Sequence, residues 1–336
     1  MSTVADFTER ELIARISSVL PPPPAWMPVG IGDDAAVVEP ERNKLEVLSV
    51  DALVEGVHFD RAFTPPAAIG HRALAVNLSD LAAMGAAPRL CLLSLALPAS
   101  LAVADFDAMI GGLAALAARH RIHIAGGNIT RSPGPLVLDI TVSGTAKRRQ
   151  LITRRGARPG DELYVTGSIG SAAAGLAMLR EAGLDSCSDG NSCAARYLYP
   201  DPRLRMGLLV ARNRAASAGM DLSDGLADGV RQLAEASGVG ALVNADAIPI
   251  EPAARDWFSS HATDPIEAAL TGGDDYELLL AVRPRQRRRL TAARRHGDAP
   301  LTLVGVCTEG SDVVLRHGDG GQAVDRPLPQ GYRHFR

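Results

Sequence analysis

Asp33 and Asp34 sit in Gly30-Ile-Gly-Asp-Asp-Ala-Ala-Val-Val, Asp51 ends Val47-Leu-Ser-Val-Asp, and Asp80 interrupts Leu74-Ala-Val-Asn-Leu-Ser-Asp-Leu-Ala-Ala-Met. Each carboxylate has apolar neighbours in sequence. An ionised carboxylate withdrawn from water costs several kcal/mol unless it is paired or binds a metal. No Lys or Arg recurs beside these acids, so the sequence points to cations supplied from outside. Oxygen ligands suit hard ions such as Mg2+, which usually arrives bridging to a substrate's phosphates. A second acid set, Asp221 and Asp224, follows in Met220-Asp-Leu-Ser-Asp-Gly-Leu.

The elements that must hold these acids follow from periodicity and turn chemistry. Phe7 to Leu20 reads as a helix with Thr8 as N-cap and Glu11 at capping-box spacing, stopped by Pro21 to Pro24. Segments at 35–38 and 45–54, separated by a polar turn, read as a strand pair in which period two places Ser49 and Asp51 on one face. Pro65 to Met84 is a helical pattern ended by Gly85. Within it, Ser79 and Asp80 either cap a fresh helical turn or offer the acid to a cation. Arg89–Leu97 is a buried strand, Ala104–His120 a helix, Ile122–Ala125 a short strand, Gly126-Gly-Asn a tight turn and Leu136–Gly144 another strand.

A hinge is expected at Thr145 to Arg149, giving domains 1–147 and 148–336. Beyond it, Asp161–Val165 is a strand leading through Thr166-Gly-Ser-Ile-Gly-Ser into an Ala-rich helix. That loop is either a plain strand-to-helix turn or a phosphate cradle, and it matches neither common glycine-rich fingerprint. Asp221-Leu-Ser-Asp opens a helix reaching Ala236, and Thr271-Gly-Gly-Asp-Asp-Tyr-Glu leads into a strand. The six arginines of Arg285 to His296 read as a solvated helix face. Two features echo each other: Asp80 to Asp224 spans 144 residues and Gly126 to Gly272 spans 146, which suggests related halves whose acids line one cleft.

A net charge of −3 gives no broad electrostatic footprint for nucleic acid. No apolar run approaches the roughly 18 residues of a membrane span, and the first 20 residues are amphipathic rather than a signal peptide, so a cytoplasmic protein is expected. Cys91, Cys187, Cys193 and Cys307 lack C-x-x-C spacing, which argues against zinc, and Cys91 and Cys307 read as buried thiols.

Taken together, Gly30-Ile-Gly-Asp-Asp-Ala-Ala-Val, Asp51-Ala-Leu-Val-Glu-Gly-Val-His-Phe, Ala75-Val-Asn-Leu-Ser-Asp-Leu-Ala-Ala-Met-Gly-Ala, Asp221-Leu-Ser-Asp-Gly-Leu and Gly272-Gly-Asp-Asp-Tyr-Glu-Leu resemble the thiamine-monophosphate kinase family, from about Phe7 to Phe335. The resemblance implies an α/β (α+β) fold like that of aminoimidazole ribonucleotide synthetase: two related α/β domains with mixed sheets flanked by helices. The first would carry the ATP and Mg2+ site and the dimerisation sheet. It also implies ATP-dependent phosphorylation of thiamine monophosphate to thiamine diphosphate, several Mg2+ ions, ATP as co-substrate and a homodimer.

Transferred position by position, the resemblance assigns metal contacts to Asp34, Ser49, Val50, Asp51, Asp80, Asn128, Asp221 and Asp224. Asp34, Asp51, Asp80 and Asp224 are also the expected catalytic residues. ATP contacts fall on Gly127, Asn128, Arg154 and Ser223, and thiamine-phosphate contacts on His58, Asp274 and Tyr332. Four positions depart from the family pattern. Val50 stands where Thr is frequent, Asn128 where Asp is, Asp274 where Glu is, and Ile110 where an adenine-side Tyr is. Two alternatives stand beside this reading: another ATP-using enzyme of the superfamily, or a non-catalytic protein binding nucleotide or thiamine phosphate.

Overall fold

The computed structural model describes residues 2–184, 192–319 and 322–331. The chain divides into two compact units, residues 1–78 with 87–147 and residues 79–86 with 148–336.

In the first unit, α1 (Glu9–Ser18) begins at a reciprocal cap: Glu11 N–H donates to Thr8 Oγ1 at 3.3 Å and Thr8 N–H donates to the Glu11 carboxylate at 2.7 Å. Strands β1 (Leu45–Val54), β2 (Ala87–Pro98), β3 (His123–Ser132) and β4 (Val137–Ala146) form a mixed sheet in the order β1-β4-β2-β3. β1 does not pair with residues 35–38, which make only an isolated bridge from Val37 to Val29. Its ladder partner is β4, with Leu45 opposite Ala146 and Val54 opposite Val137. The expected 35–38 strand is therefore corrected: a short alternating pattern carried no information on its distant competitor, a full-length antiparallel partner.

The expected Gly126-Gly127-Asn128 turn is likewise corrected. These residues continue β3, parallel to β2, where Cys91 faces Ile124 but Leu92 faces Gly126, so Ala125 is the extra residue of a bulge. Gly127 is required there because a Cβ would stand 1.8 Å from the Leu93 carbonyl oxygen.

Helices α2 (Pro66–Ala83) and α3 (Val103–His120) carry long apolar stretches, and α2 is buried almost all round from Ala68 to Ser79, as a helix apolar on every side must be. The two backbones approach at glycine: a Cβ on Gly70 would lie 1.8 Å from Met109 O, and one on Gly112 2.0 Å from Ala67 O. Ser79 and Asp80 lie within continuous α2 rather than at a helix start, which removes the capping reading.

The second unit holds a seven-stranded mixed sheet in the order β11-β10-β7-β9-β5-β8-β6. Its strands are β5 (Glu162–Thr166), β6 (Ala218–Asp221), β7 (Gly240–Asn244), β8 (Leu278–Val282), β9 (Leu301–Thr308), β10 (Val313–Asp319) and β11 (Gln322–Pro327). Leu163, Val165, Val243 and Leu279 from these strands share one core with Leu226, Val230 and Leu233 of α7 (Leu226–Ser237). A smaller core joins α4 (Ser171–Ala182), α5 (Ser192–Leu198) and α8 (Pro252–Ser260) through Ala174, Cys193 and Phe258. α6 (Leu204–Asn213) and α9 (Pro265–Thr271) complete this layer.

The arginine-rich segment is a 3-10 turn, 284–290, followed by α10 (Thr291–His296), with Leu290 and Ala293 buried. All six arginines are exposed, as the solvated-face reading expects, while Arg287 also pairs with Glu162 and Arg294 lies over the Tyr164 ring at 5.7 Å. Among the described residues no helix is long and apolar enough to cross a membrane.

The glycine crossing makes a paired prediction. Gly112→Ala should lower the urea midpoint by a stability loss of about 1–3 kcal/mol from overpacking. Gly111→Ala, whose Cβ would meet nothing within 4 Å, should leave stability unchanged or raise it by up to about 1 kcal/mol through helix propensity.

Candidate active site

In the first unit, a cavity of about 1350 Å3 is lined by the 30–36 loop, Ser94, Gly126 to Ile129, Asp139 and Thr141. Asp33, Asp34, Gly127 and Asn128 therefore share one cavity wall, and all four are exposed. Asp51 is exposed as well, so the expected burial is corrected for Asp33, Asp34 and Asp51: apolar sequence neighbours did not enclose them, because loops and edge strands leave one side to water.

Alternation along β1 puts Ser49 and Asp51 on the face of their partners Val142 and Ile140, which are fully buried, whereas Val50 stands on the opposite face and is 58% exposed. Its assigned metal contact could come only from its carbonyl oxygen, since the side chain has no donor atom. The edge of β1 is closed by α2. Asp51 N–H donates to Asn77 Oδ1 at 3.0 Å, and the Asn77 amide donates to Ala73 O at 3.0 Å and to Asp51 O at 3.4 Å. His58 accepts the Val54 N–H on Nδ1 at 3.0 Å, which places the imidazole proton of the neutral ring on Nε2.

In the second unit, Asp221 ends β6 with a side chain almost sealed from solvent, and Ser79 Oγ donates to its Oδ2 at 2.7 Å. Burial first, and the Asp80 carboxylate second, push the Asp221 acid up to about 7; the Ser79 hydrogen bond and the Arg154 guanidinium pull it back. Arg154 is itself held by α7, its Nη1 donating to Gln232 Oε1 at 2.6 Å while Gln232 donates to Asp228. Asp224 follows in the same turn, half-buried, with Ser223 Oγ donating to it at 3.3 Å.

The loop before β8 is held against this turn. Asp274 N–H donates to Ser223 O at 2.7 Å and Tyr276 N–H to Leu222 O at 3.0 Å. Asp274 and Tyr276 both adopt left-handed backbone, φ 67° and 50°, which for non-glycine residues costs of order 1–3 kcal/mol each. Buried flanking acids hold it. Glu277 receives Thr166 Oγ1 at 2.6 Å and Arg203 Nε at 2.6 Å and also pairs with Arg196. Asp275 receives Gly170 N–H at 2.7 Å and Ala172 N–H at 3.2 Å. Tyr276 Oη donates to Asp274 Oδ1 at 3.1 Å, aiming the carboxylate.

The structure thus brings Asp80, Asp221 and Arg154 together, and joins Ser223 and Asp224 to the Asp274 loop; Tyr332 lies outside the described residues. Among the described residues no three His, Cys, Asp or Glu side chains converge to hold a metal unaided. Asp80 and Asp221 fit a hard divalent cation: two carboxylates oppose each other's ionisation, and Mg2+ is commonly held by one or two carboxylates plus substrate phosphates. Sequence reading missed Asn77, Ser79, Gln232, Tyr276 and the Glu277 network. For Asn77 and Ser79 the available signal was a polar pair inside an otherwise apolar helical run.

AIR synthase related protein, N-terminal domain, matches residues 32–146, and AIR synthase related protein, C-terminal domain, matches residues 158–318. A thiamine-monophosphate kinase of Synechococcus elongatus is 38% identical over 309 residues, 90% of this chain and 91% of that protein. The crystal structure of thiamine-monophosphate kinase from Stenotrophomonas maltophilia superposes with TM-score 0.79 at 38% identity, covering 91% of this chain and 94% of the other. AaThiL complexed with AMPPCP and TMP superposes with TM-score 0.76 at 30% identity, covering 100% and 99%.

The Asp221 environment predicts a pH-dependent stability. Its folded pKa lies above the unfolded value of 3.8, so the folded chain holds the extra proton, and stability falls as pH rises from that value toward about 7. In metal-free buffer, Asp221→Asn should therefore raise the melting temperature at pH 8, by about 2–4 °C for each kcal/mol relieved, and leave it unchanged near pH 4. Equal melting temperatures at both pH values would contradict this environment.

Proposed function

The chain belongs to the thiamine-monophosphate kinase family, and we propose that it phosphorylates thiamine monophosphate to thiamine diphosphate at the expense of ATP, the last step of thiamine diphosphate biosynthesis. The transfer is direct and in-line, assisted by several Mg2+ ions, in a cytoplasmic homodimer. One observation carries this reading: a relative covering the whole chain binds AMPPCP, an ATP analogue, together with TMP.

An oxygen of the acceptor's phosphate forms the new bond to the γ-phosphorus while the bond to the β,γ-bridging oxygen breaks and ADP leaves. Phosphate monoesters lose their second proton near pH 6, so the attacking oxygen is already ionised and no strong general base is required. The difficulty is repulsion between two polyanions, which makes charge neutralisation and alignment the main work. Bound Mg2+ supplies positive charge to the phosphate oxygens. We assign it to Asp34 and Asn128 at the cavity, to Ser49, the Val50 carbonyl and Asp51 on β1, the Ser49 and Asp51 side chains lying on the other face of the sheet, and to Asp80, Asp221 and Asp224 in the second unit. Gly127, Asn128, Arg154 and Ser223 meet the nucleotide. His58 donates from Nε2 to the acceptor, and Asp274, with Tyr332, orients it.

The open face of the first sheet supports the homodimer. Leu48, Val50 and Leu92 are 68%, 58% and 41% exposed, and the pairs Leu48–Ser143, Val50–Thr141 and Leu92–Thr141 place them on one face. Exposed apolar side chains grouped on one sheet face favour a second copy of the chain as the covering partner, and Leu92 also lines the cavity beside the 30–36 loop.

Purified protein with MgATP should release ADP and form thiamine diphosphate, identified by mass, from thiamine monophosphate but not from thiamine. Binding of both ligands without turnover would instead make it a binding protein. Asp80→Asn should cut turnover by about 100-fold or more while the melting temperature stays within a few degrees; an active mutant removes Asp80 from the site. Leu48→Glu should shift the mass measured by light scattering from dimer to monomer, and an unshifted mass would place the interface elsewhere.

A further inference from the structure

The Ser79 hydroxyl is fully buried inside α2, between Leu78 and Leu81, which are also fully buried. A hydroxyl in such a place is unfavourable unless it finds a partner. Serines within helices commonly satisfy themselves on the carbonyl of the preceding turn. This one donates instead to Asp221 Oδ2, 142 residues away, at 2.7 Å. We infer that Ser79 is a positioning residue for a divalent cation at Asp221, holding one carboxylate oxygen so that the other is presented as the ligand atom. This rests on the assignment of Asp221 to Mg2+.

Three features favour positioning over simple core filling. Asp221 is the last residue of β6, where the ladder to β8 ends at Leu278, so the sheet fixes its backbone. The Ser79 bond fixes one oxygen of its carboxylate. Ser79 also precedes Asp80, the acid whose charge acts on Asp221, so a single turn of α2 supplies both an acid beside Asp221 and the donor that orients it. Arg154 is the cation felt at Asp221, and it is anchored independently through Gln232. Loss of Ser79 would therefore leave Arg154 in place.

Groups that orient metal ligands typically change metal affinity by about 10–100-fold when removed. The test uses Mn2+ as the probe: metal-free protein is titrated without nucleotide and free Mn2+ is counted by electron paramagnetic resonance. Asp221→Asn defines the share of binding that belongs to this site. Ser79→Ala should weaken that share by about 10-fold or more, alongside a lowered melting temperature from the buried carboxylate left without its donor, and Ser79→Cys, which keeps a weak donor, should fall between in affinity. Wild-type Mn2+ affinity in Ser79→Ala, with binding lost in Asp221→Asn, would overturn the role of Ser79 and leave the metal assignment standing. Wild-type affinity in Asp221→Asn would overturn both. A lowered melting temperature without a change in Mn2+ affinity would make Ser79 a packing residue only.

Discussion

Asp221 sets the central constraint on the second unit. Its carboxylate is enclosed at the end of β6, beside Asp80, with one short hydrogen bond from Ser79. Ionised, it loses hydration and meets a like charge; protonated, it has little use near pH 7. A cation removes both difficulties, and a phosphorylated ligand removes the remaining charge on the cation. Under the proposed assignment of Mg2+ to Asp221, the strand end, the helix turn and the Arg154 anchor keep this unfavourable acid in place for the cation and its phosphorylated ligand.

The loop before β8 follows the same logic. Two non-glycine residues in left-handed backbone make a strained turn, and the strain is offset by bonds on either side of it. Glu277, fully buried, is paired with Arg203 and Arg196, and Asp275 closes the start of α4 through the Gly170 and Ala172 N–H groups. Removing one partner of a buried ion pair is far more harmful than its net contribution suggests. These flanking acids thus act on the position of Asp274 through the backbone they anchor.

Helices were legible where the signal is local: the Thr8–Glu11 cap and the apolar runs of α2 and α3 lie where sequence reading puts them. Misreadings arose where a distant partner decides the outcome. The 35–38 segment alternates like a strand but loses the sheet to β4, and Gly126-Gly127 looks like a turn until β2 draws it into a bulged parallel ladder. Burial was the least legible property. Asp34 runs into Ala-Ala-Val-Val and Asp221 lies between Met220 and Leu222, yet one is on an open loop and the other is sealed at a strand end. The candidate residues could be named from motifs, whereas the bond of Ser79, read from sequence as a cap, and the role of Asn77 became visible only through partners far away in sequence.

The most direct test of a cation-dependent acid at Asp221 is the proton count on metal binding. Calorimetric titration of Mg2+ into the wild-type protein at pH 7, in two buffers of different ionisation enthalpy, measures protons released. Because the metal must displace a proton from a carboxyl whose pKa is raised to about 7, the observed heat should depend on the buffer, and that dependence should vanish in Asp221→Asn. Buffer-independent heats in the wild-type protein would contradict the account.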